Sequence, residues 1–427
     1  MENRNSFLKI KKLLKFAYNN RYSDFYREKY KKAGFNPLTD FKSIEDIRKI
    51  PFLTKEELLK ANLYKLLFVN EKDVLCTRST SGTTKKPLYL FLSKQDKKHW
   101  SKQTEINFGK ILILFNAPNA YFQSIGTKHC TTLWASTGDL HDLPAAARMA
   151  ADLQVNTIYT IPPLAIILSD YLKDYPSLKK SLKYLYLAGE VVSPKKKKSL
   201  QILYPGVKIF FCYGCAETLG LGLQCEYLAK ADQIYFHSLF DINHTEIINP
   251  KTEKEVGMGE KGEIVVTSLY LFSMPIIRYK TGDLGSLKKG KDCPCGYPGP
   301  LLQVWGRVNY DIVKAGGFEL RKEFLEKAID SFKNLLKDSF EAHVYENFED
   351  NKPKIRIELN FSLKKGVRES ILLKQRIEKE LLENWQVSSK LKLKKAIEAG
   401  LFEPVKINFI EFPFSAKTRK SLVLHQG

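Results

Sequence analysis

The sequence predicts an α/β protein, with a large multi-subdomain α/β region followed by a small α+β domain. Three observations carry that prediction. From Val74 onward, short apolar runs alternate with amphipathic helical stretches, the pattern of buried strands with helices packed on them. Between Ile234 and Leu287 the runs come closer together and turn signals separate them, as in mixed or antiparallel β structure. After Gly306 the pattern becomes helix, strand, helix, strand. These shifts divide the chain into residues 1–308 and 309–427.

The elements follow in order. Phe7, Ile10, Leu13, Leu14 and Phe16 recur at helical spacing near the N-terminus, and the first 65 residues read as helical. Pro37 and Pro51 punctuate them, and Thr54-Lys55-Glu56-Glu57 has the form of a capping box opening a helix. Leu88–Leu92, Thr157–Ile161, Leu182–Ala188 and Val207–Tyr213 read as strands. Asn249-Pro250 and Lys261-Gly262 mark turns in the β-rich section. Beyond it, Arg321–Leu336 and Glu369–Trp385 read as helices, and Ile355–Phe361 and Ile407–Phe412 as strands. No internal repeat is visible.

With 427 residues, 44% of them hydrophobic and 12% aromatic, the chain can bury a sizeable core. That excludes a disordered chain. Lys and Arg number 69 against 47 Asp and Glu, a formal charge of +22. Such a balance favours phosphate, nucleic acid, anionic membrane or an acidic protein partner without choosing among them. No run approaches the roughly 18–20 apolar residues of a membrane span; the best is Ile111–Phe115. Seven Cys are too few for a disulfide scaffold. With no apolar leader at the N-terminus, a reduced, cytoplasmic protein is expected.

Three segments carry chemistry. Ser79-Thr80-Ser81-Gly82-Thr83-Thr84-Lys85-Lys86-Pro87 lies between two predicted strands. Its hydroxyls, backbone N–H groups and lysines suit a polyphosphate, although the Walker spacing is absent. Phe211-Cys212-Tyr213-Gly214-Cys215-Ala216-Glu217 ends a buried strand, where open α/β sheets bind ligands. Tyr213 could stack on a base and Glu217 hold magnesium; equally, Tyr213 could be core and Glu217 a helix N-terminal acid. In Tyr279-Lys280-Thr281-Gly282-Asp283, the Asp could accept two ribose hydroxyls, or be a simple turn residue. A fourth set is metal-like. Cys293-Pro294-Cys295-Gly296 forms a knuckle, and with Cys225 and His237 makes three sulfurs and one imidazole, the donor set of a closed structural zinc site.

The first three segments, in this order and followed by Gly306-Arg307, resemble the adenylate-forming superfamily of acyl- and aryl-CoA synthetases, adenylation domains and luciferases. Phe25-Tyr26-Arg27, Ala33-Gly34, Ile50-Pro51-Phe52-Leu53-Thr54-Lys55, Glu246–Pro250 and Met274–Tyr279 resemble its phenylacetate–CoA ligase-like branch. The resemblance runs from about residue 20 to the C-terminus. It implies a cytoplasmic ATP- and magnesium-dependent ligase: a carboxylate attacks the α-phosphate to give an acyl-adenylate, and a thiol then displaces AMP.

By the same resemblance, Thr80, Ser81, Gly82, Thr83, Thr84 and Lys86 would hold the pyrophosphate end, with Thr83 catalytic, and Glu217 the magnesium. Gly189, Glu190, Tyr213 and Gly214 would line the adenine, Asp283 would grip the ribose, and Arg307 would sit near ribose or phosphate. Phe414-Ser415-Ala416-Lys417-Thr418-Arg419-Lys420 resembles the loop whose lysine reaches the reacting carboxylate and α-phosphate. Lys417 is the match, on a small domain that rotates between half-reactions. Some relatives in this branch carry zinc near the Cys225, His237, Cys293 and Cys295 set.

Departures from the pattern are Lys85 for Gly in the phosphate loop, Ala216 for Ser or Thr, Asn309 and Tyr310 for two Asp at the hinge, and Ala416 for Gly. Tyr121–Gly126 and Thr137–His141 fall where the acid pocket is expected, and Asp139 and His141 there suit a polar acid as well as they suit a loop. Lys195–Lys198 reads as a solvated helix face that could meet an acidic carrier protein or the phosphates of CoA. The acceptor is therefore CoA, a carrier-protein thiol, or a hydroxyl or amine, and a homodimer is expected by analogy. A basic nucleic-acid binder that inherited the fold is the non-enzyme alternative; the clustered aromatic–basic surface of such modules is not evident.

Overall fold

The structure is a computed structural model. It describes every residue except 1, 80–87, 104–108, 116–130, 137–142, 190–191, 193, 291–292, 308–311, 351, 388–390, 412–419 and 427. The chain forms two compact units: Met1–Thr160 with Asp170–Gly189 and Gly206–Gly306, and Ile161–Ser169 with Glu190–Pro205 and Arg307–Gly427.

The first unit is built on an eleven-stranded sheet. Lys110–Phe115, Thr131–Ser136, Thr157–Thr160, Tyr184–Leu187 and Lys208–Cys215 run parallel. Their apolar character fits a sheet covered on both faces. The sheet then turns antiparallel, because Lys208–Cys215 pairs with Leu219–Leu223 across a short turn at 216–218. Phe236–Ser238, Asn243–Ile248, Gly262–Ser268, Tyr279–Lys288 and Leu301–Arg307 complete it. Close strand approach here needs glycine: a Cβ on Gly262 would lie 2.3 Å from the Ile248 carbonyl oxygen. The mixed or antiparallel structure expected from the turn signals is present.

The Leu88–Leu92 run forms the strand expected of it, but outside this sheet: Tyr89–Ser93 pairs antiparallel with Val74–Ser79 as a separate two-stranded ribbon. An apolar run shows that a strand is buried, not which sheet holds it. The ribbon is anchored by Asp96, fully buried, which accepts from Ser93 N at 2.9 Å, Phe272 N at 2.7 Å and Ser273 N at 3.2 Å.

The N-terminal helices Glu2–Tyr18 and Phe25–Lys32 bury Ile10, Leu13, Leu14, Tyr26 and Tyr30 in one core with Met274, Ile276 and Ile277. The capping box forms as the sequence predicts: Glu57 N donates to Thr54 Oγ1 at 3.2 Å, and Thr54 N to Glu57 Oε2 at 2.9 Å. It opens helix Lys55–Lys60. Arg278 docks this region. Its Nε and NH2 groups fork onto Glu246 at 2.9–3.2 Å, NH1 donates to the Ile50 carbonyl at 2.7 Å, and its guanidinium lies 4.1 Å from the Phe52 ring centroid. Leu53 pairs with the same strand, its N–H donating to Arg278 O and its carbonyl accepting from Lys280 N, both at 2.9 Å. Segments the sequence keeps far apart thus meet around one buried, paired charge.

The second unit has a four-stranded sheet in which the long hairpin Leu336–Glu349 and Lys352–Leu363 is flanked by the parallel strands Lys420–Gln426 and Lys406–Phe409. Its core gathers Phe340, Val344, Ile357, Leu381 and Trp385. Helices Lys322–Ala328, Ile371–Asn384 and Leu393–Glu398 and the ribbon Ile312–Ala315 with Phe318–Arg321 complete the α+β module. Helix Pro194–Leu203 belongs to this unit and departs from the solvated face expected of it. Lys195 and Lys198 are exposed, but Lys196 and Lys197 are buried, and Lys196 Nζ lies 2.5 Å from Glu346 Oε1. A run of four lysines on a helix spans more than one face, so composition alone did not reveal which would turn inward.

Candidate active site and metal centre

The nucleotide-binding candidates gather where the sheet changes from parallel to antiparallel. Tyr213 and Gly214 close strand Lys208–Cys215, and Glu217 sits in the turn beyond it, not at a helix start. Asp283 is brought from Tyr279–Lys288 by an irregularity in its pairing with Gly262–Ser268. Gly282, at φ +73°, supplies the left-handed backbone this irregularity needs. The Asp283 position is therefore a bulge inside a strand rather than a free turn. Tyr213 OH donates to Asp283 Oδ2 at 2.8 Å across 70 residues of sequence. Behind it, Gly282 N donates to Glu263 Oε1 at 3.2 Å and Asp283 N to Thr281 Oγ1 at 3.1 Å. Burial, reinforced by the Asp283 charge, holds the Tyr213 phenol well above its usual range, so Tyr213 stays a donor. Gly189, at φ +95°, ends the segment after strand Tyr184–Leu187.

Glu217 is buried, and two cations that the motifs did not flag lie near it. Lys55 Nζ, from the capped helix, is 3.9 Å from Glu217 Oε1. Arg78 is buried in strand Val74–Ser79; burial pulls its guanidinium down to about 10, with Glu217 the strongest opposing influence. Both signals were in the sequence, but only tertiary folding brings residues 55, 78 and 217 together. Cys215 is pushed up to about 12, chiefly by burial and then by Glu217, and Cys212 to about 12 by burial. Neither is an activated nucleophile.

Thr80, Ser81, Gly82, Thr83, Thr84, Lys86, Glu190, Asn309 and Lys417 lie outside the described residues, as do Tyr121–Gly126 and Thr137–His141. The two strands flanking residues 80–87 are described, with Ser79 paired to Tyr89. Arg307 ends strand Leu301–Arg307.

Cys225, His237, Cys293 and Cys295 converge, each with one donor atom within 4.8 Å of the others; among the described residues no other such group of three or more occurs. Cys225 Sγ is 3.5 Å from Cys293 Sγ, which is 3.4 Å from Cys295 Sγ, and His237 Nε2 faces Cys225 and Cys295 at 3.3 and 3.1 Å. A tetrahedral zinc site with Zn–S near 2.3 Å has S···S edges of about 3.8 Å. The cluster is therefore close to that size, and its donor set fits zinc. Burial lifts the Cys293 thiol to about 12. Burial opposes the Cys295 thiolate as well, but hydrogen bonds from Tyr297 N–H and the neighbouring thiols outweigh it and lower that pKa.

Comparison with known proteins places this geometry. Residues 124–274 match the family described as AMP-binding enzyme. A phenylacetate–coenzyme A ligase of Pseudomonas putida is 25% identical over 363 residues, 81% of this chain and 79% of the relative. One from Escherichia coli K12 is 26% identical over 298 residues, 66% of each chain. A crystal structure of 2-hydroxyisobutyryl-CoA ligase with 2-HIB-AMP and CoA has a TM-score of 0.72 at 17% identity, covering 99% of this chain and 90% of that one. The amide bond synthetase McbA of Marinactinospora thermotolerans has a TM-score of 0.52 at 14% identity, covering 81% and 68%. These matches make the chain similar to the adenylate-forming superfamily, a class of ATP-dependent, AMP-forming ligases. Within it, the similarity runs to the phenylacetate–CoA ligase-like branch.

Proposed function

We propose that this protein activates a small carboxylic acid as its acyl-adenylate and transfers the acyl group to the thiol of CoA. The observation that carries the reading is the Tyr213–Asp283 hydrogen bond, which joins two motifs 70 residues apart. It sets an aromatic ring and a two-oxygen acceptor side by side, as adenine and ribose require. Glu217 would hold magnesium against the polyphosphate, with residues 80–86 around it. Lys417 would bring positive charge to the reacting carboxylate and α-phosphate, where charge changes most. The two relatives matched by sequence are phenylacetate–coenzyme A ligases, which supports CoA as acceptor over an acidic carrier protein, a hydroxyl or an amine. Zinc in the Cys225, His237, Cys293 and Cys295 cage would cross-link the 225–237 segment to the 293–295 knuckle and fix that part of the sheet. Among the described residues no helix is long and apolar enough to cross a membrane.

The test is magnesium-dependent ATP–pyrophosphate exchange across a panel of carboxylic acids, with wild type beside Lys417→Ala. Acid-dependent exchange that drops at least about a hundredfold in the variant is expected. Tight ATP binding with no exchange for any acid would refute the reading.

A further inference from the structure

The second unit carries an apolar pair that its own core does not use. Ile371 and Leu372 open helix Ile371–Asn384, behind a cap in which Ser370 Oγ accepts from Leu373 N at 3.2 Å. They are 77% and 72% exposed, the two most exposed large apolar side chains among the described residues. Leu373, Ile377 and Leu381 already fill the buried face of that helix, so the pair is surplus to packing and forms a projecting tip. Cations surround it. Lys364, Lys365 and Arg368 are exposed in the turn before the helix, which is held by Lys364 N donating to Leu335 O at 2.9 Å. Arg376 and Lys379 are exposed and follow Leu372 at helical spacing, on its side of the helix. Glu369 is committed to Lys374 at 2.7 Å and Glu411 lies 3.7 Å from Lys337. Among the described residues no ion pair reaches Lys364, Lys365, Arg368, Arg376 or Lys379.

We propose that this tip docks on an anionic phospholipid surface, with Ile371 and Leu372 inserted among the headgroups and the surrounding cations set against lipid phosphates. Such docking is independent of the ligase reading. A projecting apolar pair ringed by long, flexible cations matches a fluid, diffusely charged surface rather than a shaped pocket with placed carboxylates. Insertion buries the pair, while Lys and Arg stems bend so that their charges stay at headgroup level. Two apolar side chains alone hold a protein only marginally, and the basic residues act within a Debye length of the surface. Both contributions are therefore needed. The chain's charge of +22 acts in the same direction at longer range.

The experiment is co-sedimentation of the full chain with vesicles of phosphatidylcholine containing about a third phosphatidylglycerol, beside vesicles of phosphatidylcholine alone. Wild type should bind the anionic vesicles and not the neutral ones, and should release them as salt rises. Affinity should fall about tenfold or more in Ile371→Ser with Leu372→Ser, and equally in Lys364→Gln with Lys365→Gln and Arg368→Gln. The control for net charge removes exposed lysines elsewhere, Lys230→Gln with Lys251→Gln and Lys254→Gln, and should change binding far less. In Leu372→Trp, fluorescence emission should move to shorter wavelength when anionic vesicles are added, a direct report of insertion. Equal losses in the control and the tip variants, unchanged binding without the apolar pair, or no spectral shift would overturn the proposal. So would a wild type that does not bind anionic vesicles; binding to polyglutamate in that case would assign the tip to an acidic protein.

Discussion

Tyr213→Phe removes one hydroxyl and leaves the ring in place, so it isolates the hydrogen bond to Asp283. A hydrogen bond to an ionised partner contributes about 1.5–3 kcal/mol. The expected outcome is a KM for ATP raised about tenfold, with kcat changed far less; an unchanged KM would show that Asp283 needs no support from Tyr213. At this scale the sequence was partly legible. Tyr213 and Asp283 stand in recognisable motifs, and residue type alone suggested base stacking and ribose binding. The hydrogen bond between them was not visible, because it depends on the bulge at Gly282 that turns Asp283 toward Tyr213. Lys55 and Arg78 were equally hidden. A cation announces its charge in a sequence but not its partner, and Lys196 shows the same limit from the opposite direction.

Among the elements, the Cys225, His237, Cys293 and Cys295 cluster gives the sharpest test. Zinc analysis of the purified chain should find one ion, and Cys293→Ser should abolish it. Because metal affinity is coupled to folding, the variant should melt roughly 5–10 °C lower; full stability without zinc would mark Cys293 and Cys295 as two reduced thiols in a turn. The cage was legible because its four donors are of unmistakable type, even though 56 residues separate His237 from Cys293. The capping box at Thr54 was legible for another reason, since both of its bonds span only three residues. Strand pairing was harder to read. The run at Leu88–Leu92 predicted a strand correctly, but a two-residue period carries no information about which neighbour accepts it. The ribbon of Val74–Ser79 and Tyr89–Ser93 thus emerged only from the fold, together with the Asp96 anchor that fixes it.

For the molecule as a whole, a charge of +22 guarantees some attraction to polyanions. Weak binding to a mixed-sequence oligonucleotide, followed between about 50 and 200 mM salt, should coexist with ATP–pyrophosphate exchange; steeply salt-dependent binding with no exchange would favour the nucleic-acid reading instead. The Arg278 junction carries a consequence of a different kind. Its guanidinium is committed to Glu246, to the Ile50 carbonyl and to the face of Phe52 at once. A substitution at Arg278 or at Glu246 alone would leave the other charge buried without its counter-ion. Drift at either position is therefore closed to single steps, and the two should be inherited as a unit. The N-terminal segment that rests on them would then evolve at the pace of the junction rather than at the pace of a surface helix.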